Sequence, residues 1–216
     1  MKIVILGASG GCGRLFVAQA LERGDTVVAV GRAESAIPDH PGVQIERGDL
    51  GDAAFLARCF AGADVVILAV GHRLPGLAPW RQPEDPEFID RTTVATIEAC
   101  KRTRVRRVMA ISAGGVGTSW DAMPGVFKLF IRCSALNNVY PSLARMEAAL
   151  LGSGLDVCLV RPSGLTNGPR VGGVQVVSTY KGRASISRAD VAAWMLDEAH
   201  LPAFSHPAPL ITVAGA

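Results

Sequence analysis

The chain begins with a run of aliphatic residues, KIVIL at Lys2–Leu6, that passes directly into GASGGCG, placing Gly7, Gly10, Gly11 and Gly13 within seven residues. Glycine loses more backbone freedom on folding than any other residue and weakens helices and strands alike. So dense a cluster therefore needs a geometric reason. Gly7, Gly10 and Gly13 spell G-x-x-G-x-x-G, and LFVAQAL follows with helix-like spacing. In a strand–turn–helix of this kind, one glycine makes the tight turn. A second lets backbone approach a pyrophosphate, and a third lets helix and strand pack closely. The freed N–H groups and the helix dipole then face the phosphates. The motif predicts a dinucleotide-binding turn.

The rest of the chain supports the fold this turn requires. Lys2–Leu6, Thr26–Val30, Val43–Glu46, Asp64–Val70, Arg107–Ser112 and Asp156–Pro162 read as strands. They are rich in Val, Ile and Leu without clean alternation, as strands buried on both faces are. Arg14–Arg23, Ala53–Phe60, Phe88–Arg102 and Ser142–Ser153 have helical spacing. Near the end, SRADVAAWMLDEA offers Ser187 as N-cap with Asp190 as its capping partner, and Leu210–Val213 adds a last strand. This alternation predicts one α/β domain over residues 1–216, a Rossmann-type doubly wound parallel sheet. The irregular segments Gly71–Glu87 and Ala113–Asn138 both follow strand C-termini, where such sheets bind ligands.

Composition narrows the function classes. A net charge of +3 is too mild to argue for nucleic acid, and the basic stretch CKRTRVRR suits a solvated helix-to-strand connection. Five cysteines without a CxxC pair suit reduced, buried thiols in place of disulfides or a zinc site, so no metal is expected. Apolar runs are too short to span a bilayer, and the first strand starts too early for a signal peptide. The expectation is a soluble cytoplasmic protein, monomer or homodimer, with a small-molecule partner and neither nucleic acid nor membrane.

The second strand ends VAVGRAES, with Arg32 where NAD binders usually carry an acid. A guanidinium can grip a 2′-phosphate in a fork that a carboxylate would repel, so Arg32 favours NADP(H) over NAD(H). The alternative is an ordinary surface arginine.

With these motifs in order, the chain resembles atypical short-chain dehydrogenases/reductases. GASGGCG, GDL (Gly48–Leu50), AVG (Ala69–Gly71), AISAGG (Ala110–Gly115), RMEAALLGSGLDVCLVRPSGLT (Arg145–Thr166) and ISRADVAAWML (Ile186–Leu196) carry the resemblance. The subgroup it is most similar to is the NAD(P)H-binding, NmrA-like one that includes biliverdin-IXβ and flavin reductases. The resemblance implies that Ser9, Gly10, Gly11 and Cys12 line the phosphates. It implies that Asp49 and Leu50 border the adenine, and that Val70 and Gly71 border the adenosine ribose and pyrophosphate. Ser112 would sit beside the nicotinamide, with Pro162, Ser163 and Gly164 closing over its carboxamide. Two bland alternatives stand beside these roles: Asp49 as N-cap of the next helix, and Ser112 as a strand terminus.

The tyrosine–lysine pair of most such dehydrogenases is missing. Tyr140 is followed four residues on by Ala144, and Arg145 is one step too far round a helix. Three functions remain. The first is hydride transfer to a planar conjugated acceptor such as a flavin, quinone or tetrapyrrole, which needs little beyond binding and orientation. The second is NADP(H) sensing without turnover, and the third is epimerase or dehydratase chemistry. For the first, His72 is a candidate proton donor and Ser112 a second catalytic candidate. Arg73, Trp80, Trp120, Met123 and Phe127 are expected in an acceptor wall, with Phe130 packing inward.

Overall fold

The computed structural model describes residues 1–37, 39–181 and 184–213. In chain order the elements are β1 (Lys2–Leu6), α1 (Gly11–Glu22), β2 (Thr26–Gly31), β3 (Val43–Arg47), α2 (Ala53–Phe60), β4 (Val65–Leu68), α3 (Phe88–Thr103) and β5 (Arg107–Ile111). They continue with α4 (Gly125–Arg132), α5 (Tyr140–Leu151), β6 (Asp156–Pro162), β7 (Gly164–Thr166), β8 (Val174–Val177), β9 (Ser185–Ser187), α6 (Arg188–Ala199) and β10 (Leu210–Val213). Short 3₁₀ turns lie at Gly117–Ser119 and Ala135–Asn138.

Eight strands form one sheet in the order β3-β2-β1-β4-β5-β6-β10-β8. All neighbours run parallel except β8, which pairs antiparallel with β10 at the edge. Strand order reverses between β1 and β4, so a crevice opens there beyond the strand C-termini. β7 and β9 form a separate parallel pair. Neither these two nor β8 is foreseen by hydrophobic pattern, because GLT, VQVV and SIS contain no continuous apolar run.

The aliphatic runs divide between two cores by side-chain alternation. Val4 and Leu6 of β1, Val66 and Leu68 of β4, and Val157 and Leu159 of β6 pack towards α2, α3 and α5. Ile3, Ile5, Val65, Ile67, Cys158 and Val160 pack on the other face with α1 and α6. Each fully buried aliphatic side chain contributes about 1.5–3 kcal/mol. The sheet is therefore a stiff floor for whatever its C-terminal ends present.

Two helix starts bear on the site. Ser187 caps α6, its Oγ accepting from the Asp190 N–H at 2.9 Å and donating to the Asp190 carboxylate at 2.7 Å. That fully buried carboxylate also accepts from the Val171 and Gly172 amides at 3.0 and 2.7 Å, tying segment 171–172 to α6. The cap of α2 is Asp52, which accepts from the Ala54 amide at 2.8 Å. Asp49 is thus not the N-cap; it accepts from the Gly51 amide at 2.8 Å within the preceding turn.

Candidate active site

The glycine turn is built by contact. Gly7 has φ +80°, and a Cβ there would lie 2.7 Å from the Ala69 carbonyl oxygen of the neighbouring strand end. A Cβ on Gly13 would lie 2.1 Å from the Gly7 carbonyl oxygen, so α1 can pack on the turn only through bare backbone. The Gly10 amide donates back to that same carbonyl at 2.9 Å. Helix α1 begins with no side-chain cap and no acidic residue in its first turn. Its first N–H groups and its positive dipole end are left open to an anion.

The turn forms one end of a cleft of about 460 Å³ at the strand C-termini. Gly7, Ser9, Gly10, Gly11 and Cys12 line it, with Leu50, Val70, Gly71 and Ser112 further along. Arg32 stands at the β2 end, over the Phe88 ring at 5.7 Å and paired through Nε with the Glu34 carboxylate at 3.1 Å. The buried Ser112 Oγ has no hydrogen-bond partner among the described residues. A buried hydroxyl without a partner is costly, so one supplied by a ligand is the expected remedy. A bare-backbone phosphate cradle, an arginine at the ribose end and an unpaired hydroxyl beyond it fit a nicotinamide dinucleotide.

Several expected contacts lie elsewhere. Asp49 turns its carboxylate into its own loop and leaves Leu50 to face the cleft. Pro162, Ser163 and Gly164 do not line it, because their polar groups join neighbouring segments. The Pro162 carbonyl accepts from the Gly114 amide, the Ser163 hydroxyl donates to Thr212 Oγ1 at 3.0 Å, and the Gly164 amide donates to the Ala184 carbonyl at 3.2 Å. Leu165 is the residue this segment presents. The aromatic acceptor wall does not form in the cleft either. Met123 and Phe127 pack with Tyr180 and Leu210, while Trp120 lies beneath Lys128 and Arg132. Trp80 is exposed, and Phe130 faces outward instead of into the core.

His72, Arg73, Glu84, Asp85, Val139 and Leu143 also line the cleft, with Phe88 beside Arg32. His72 is held by Ser142, with Nε2 and Oγ 2.7 Å apart, and Ser142 donates to the Val139 carbonyl at 2.8 Å. Burial lowers the His72 pKa below its ordinary 6.5, with Asp85 and Asp90 opposing the shift. Its imidazole is therefore neutral at pH 7. Tyr140, the first residue of α5, donates its hydroxyl to the Gly114 carbonyl at 2.8 Å. Burial raises its pKa above the ordinary 10. No lysine stands on the following turn, where Arg145 instead pairs with Asp90 at 2.7 Å.

The apolar lining of Phe88, Val139, Leu143 and Leu165 is not marked in the sequence, nor is one cationic residue of the cleft. Arg188, first in α6, reaches back over the glycine turn, its Cδ and Nε 3.2 Å from where a Gly11 Cβ would stand. Its Nη1 donates to Asn167 Oδ1 at 2.7 Å. It flanks Cys12, whose thiol pKa burial raises and this guanidinium lowers, the rise winning. Nothing local in ISRADV marks it, since a basic residue opening a helix reads as surface.

No described helix is long and apolar enough to cross a membrane. An uncharacterised chloroplastic protein of Arabidopsis thaliana is 31% identical over 205 residues, covering 88% of this chain and 69% of that protein. Oxidoreductase AgnL4 of Paecilomyces divaricatus is 25% identical over 211 residues, 92% of this chain and 79% of its own. Among solved structures, the ChuY anaerobilin reductase of Escherichia coli superposes with TM-score 0.79 at 23% identity, covering 100% of this chain and 98% of that one. A short-chain dehydrogenase/reductase of Veillonella parvula in complex with NADP gives TM-score 0.78 at 20% identity, covering 99% and 95%. These two show the shared fold. A model of the NAD(P)H-binding family matches residues 7–202, which span the glycine turn, the strand ends of the cleft and α6, and the chain accordingly belongs to that family.

Proposed function

We propose that this NAD(P)H-dependent oxidoreductase reduces a planar conjugated acceptor of the flavin, quinone or tetrapyrrole class, with NADPH as donor. The observation that carries the reading is the state of Tyr140. Its hydroxyl is committed to the Gly114 carbonyl, its pKa is raised, and no lysine sits four residues on. Carbonyl reduction needs an acid beside the forming alkoxide. An acceptor that delocalises the incoming charge can take its proton from water, so the protein has mainly to bind and orient both partners.

Bound in the cleft, the reduced nicotinamide supplies a hydride. The chain's own part is positional. The glycine turn fixes the diphosphate, and Ser112 offers its unpaired hydroxyl at the reacting end. Leu143 and Val139 give an apolar bed, and Arg73 adds a cation for an anionic acceptor. His72 is neutral at pH 7, so any proton it delivers comes from a ring nitrogen and is replaced from solvent.

Arg32 supports the NADPH preference, since a guanidinium forks onto a 2′-phosphate. The NADP-bound short-chain dehydrogenase/reductase of the same fold agrees with it. The anaerobilin reductase shows that this fold serves a reductase. Four buried free thiols suit a reducing compartment such as the cytoplasm.

The test is to mix pure protein with NADPH and FMN, dichloroindophenol or a small quinone panel and to follow nicotinamide absorbance. Turnover well above the protein-free rate is expected. NADPH binding with no acceptor reduced would favour a sensor that binds the nucleotide without turning it over. Replacing His72 by Ala checks its role: an unchanged rate and pH profile would remove it as proton donor.

A further inference from the structure

We propose that Arg188 is a diphosphate ligand, a cation held by Asn167 over the glycine turn to bind the charge that NADPH and NADH have in common. The proposal rests on the NAD(P)H cleft and assigns to it a residue outside the glycine motif.

The turn itself has no cation. GASGGCG contains no lysine or arginine, and the adjoining Arg14 is exposed. Main-chain N–H groups and a helix dipole together offer about half a unit of positive charge. A dinucleotide diphosphate carries about two negative charges, so its desolvation between α1 and β4 calls for a further cation. Arg188 is the group placed to give it. Its side chain lies across Gly11, and it shares the cleft wall with Ser9, Gly10, Gly11 and Cys12.

Of the three arginines that line the cleft, Arg32 is matched by a carboxylate, whereas among the described residues Arg73 and Arg188 have none, and of these two only Arg188 lies over the glycine turn. Arg32 is matched by Glu34, and nearby outside the cleft Arg91 is matched by Asp85 and Arg145 by Asp90. Arg188 has no carboxylate within ion-pair distance among the described residues, and its side-chain partners are the neutral amide oxygen of Asn167 and the neutral thiol of Cys12. A neutral acceptor orients a guanidinium without cancelling its charge. Most of its five N–H donors are left for a ligand. The backbone beneath is anchored too, since Ser187 and Asp190 close the cap of α6 on either side of Arg188.

Arg32 and Arg188 thus meet different groups of one nucleotide. The first can tell NADPH from NADH through the 2′-phosphate, whereas the second meets a group present in both. Loss of Arg188 therefore weakens both nucleotides by the same factor.

The experiment is calorimetric titration of NADPH and NADH into the wild-type protein and into Arg188→Ala, Arg188→Lys and Asn167→Ala variants, with melting curves for each. Arg188→Ala should raise both dissociation constants by about tenfold or more, in equal proportion. Arg188→Lys should recover part of the loss, because it keeps the charge without the fork. Asn167→Ala should give a smaller, equally shared weakening. Unchanged affinity in a folded Arg188→Ala protein overturns the proposal, and so does a loss confined to NADPH, which would make Arg188 a 2′-phosphate ligand. If Arg188→Ala melts early, Arg188→Lys and Asn167→Ala decide, and wild-type affinities in both would overturn it. A folded wild-type protein that binds neither nucleotide refutes the cleft itself, which is a separate failure.

Discussion

Gly13 lies so close to Gly7 that a Cβ on it would stand 2.1 Å from the Gly7 carbonyl oxygen. Two bare backbones meet there, and the contact fixes where α1 begins relative to β1. Gly13→Ala must push helix and turn apart, since the obstacle is main chain with no rotamer to change. The expected cost is about 1–3 kcal/mol of stability, the usual range for overpacking a close contact. NADPH affinity should fall about tenfold or more as the N–H groups lose their common aim. Chemical denaturation and titration of the same preparation check both.

Arg32 supplies a specificity prediction. Arg32→Glu should weaken NADPH by about a hundredfold while leaving NADH nearly unchanged, since only one of them carries the 2′-phosphate. Glu34 pairs with Arg32 at 3.1 Å. Glu34→Gln should therefore tighten NADPH modestly by freeing the guanidinium. Equal effects on both nucleotides would remove the 2′-phosphate role.

Beneath the irregular segment after β5, Arg161 and Glu147 form a fully enclosed ion pair, with Nη2 to Oε2 at 2.6 Å and Nε to Oε1 at 2.9 Å. Thr118 Oγ1 accepts from Nη1 at 3.2 Å, and Tyr180 donates to the Arg161 carbonyl. Removing one charge leaves the other buried alone, so Glu147→Leu should cost about 3–5 kcal/mol. The double variant Arg161→Met with Glu147→Leu should regain much of that. Urea unfolding of the two singles and the double gives the coupling.

Asp190 predicts a graded pair of effects. Ser187→Ala removes one cap acceptor, typically about 1 kcal/mol. Asp190→Ala also strips the acceptors of the Val171 and Gly172 amides and of the Ser187 hydroxyl, and should cost about 1–3 kcal/mol. Because Arg188 lies between these two residues, Asp190→Ala should also weaken NADPH, measured by titration at a temperature where both variants remain folded.

His72 carries a pH signature of defined sign. Its folded pKa lies below the ordinary 6.5 because burial disfavours the imidazolium. The unfolded chain then binds more protons just below pH 6.5, and stability rises with pH there. The contribution is complete above that pH and is lost as pH falls towards the folded value. His72→Asn should flatten this segment of the stability-against-pH curve. An identical slope in the variant would contradict the assignment.

The parts of the molecule legible in the sequence are those that repeat or crowd. β1, α2, β6 and β10 run over the residues expected of them, because buried parallel strands and an amphipathic helix spread their signal over many side chains. The glycine turn was legible because its steric demand concentrates four glycines in seven residues. Arg188 was not, because its role depends on α6 returning to α1 from the far end of the chain. The aromatic wall misled for a related reason. Trp120, Met123 and Phe127 follow a strand C-terminus as an acceptor site would require, yet packing on Tyr180 and Leu210 and stacking by two cations take them elsewhere. Pro162–Gly164 likewise spend their polar groups on Gly114 after β5, on Thr212 of β10 and on Ala184 before β9.

Crystals grown with NADPH test the central claim most directly. The account predicts the diphosphate against the amides of Gly10–Cys12, the 2′-phosphate at Arg32 and the nicotinamide beside Ser112. Well-ordered crystals with the nucleotide seated away from the glycine turn, or with none bound at saturating NADPH, would contradict it.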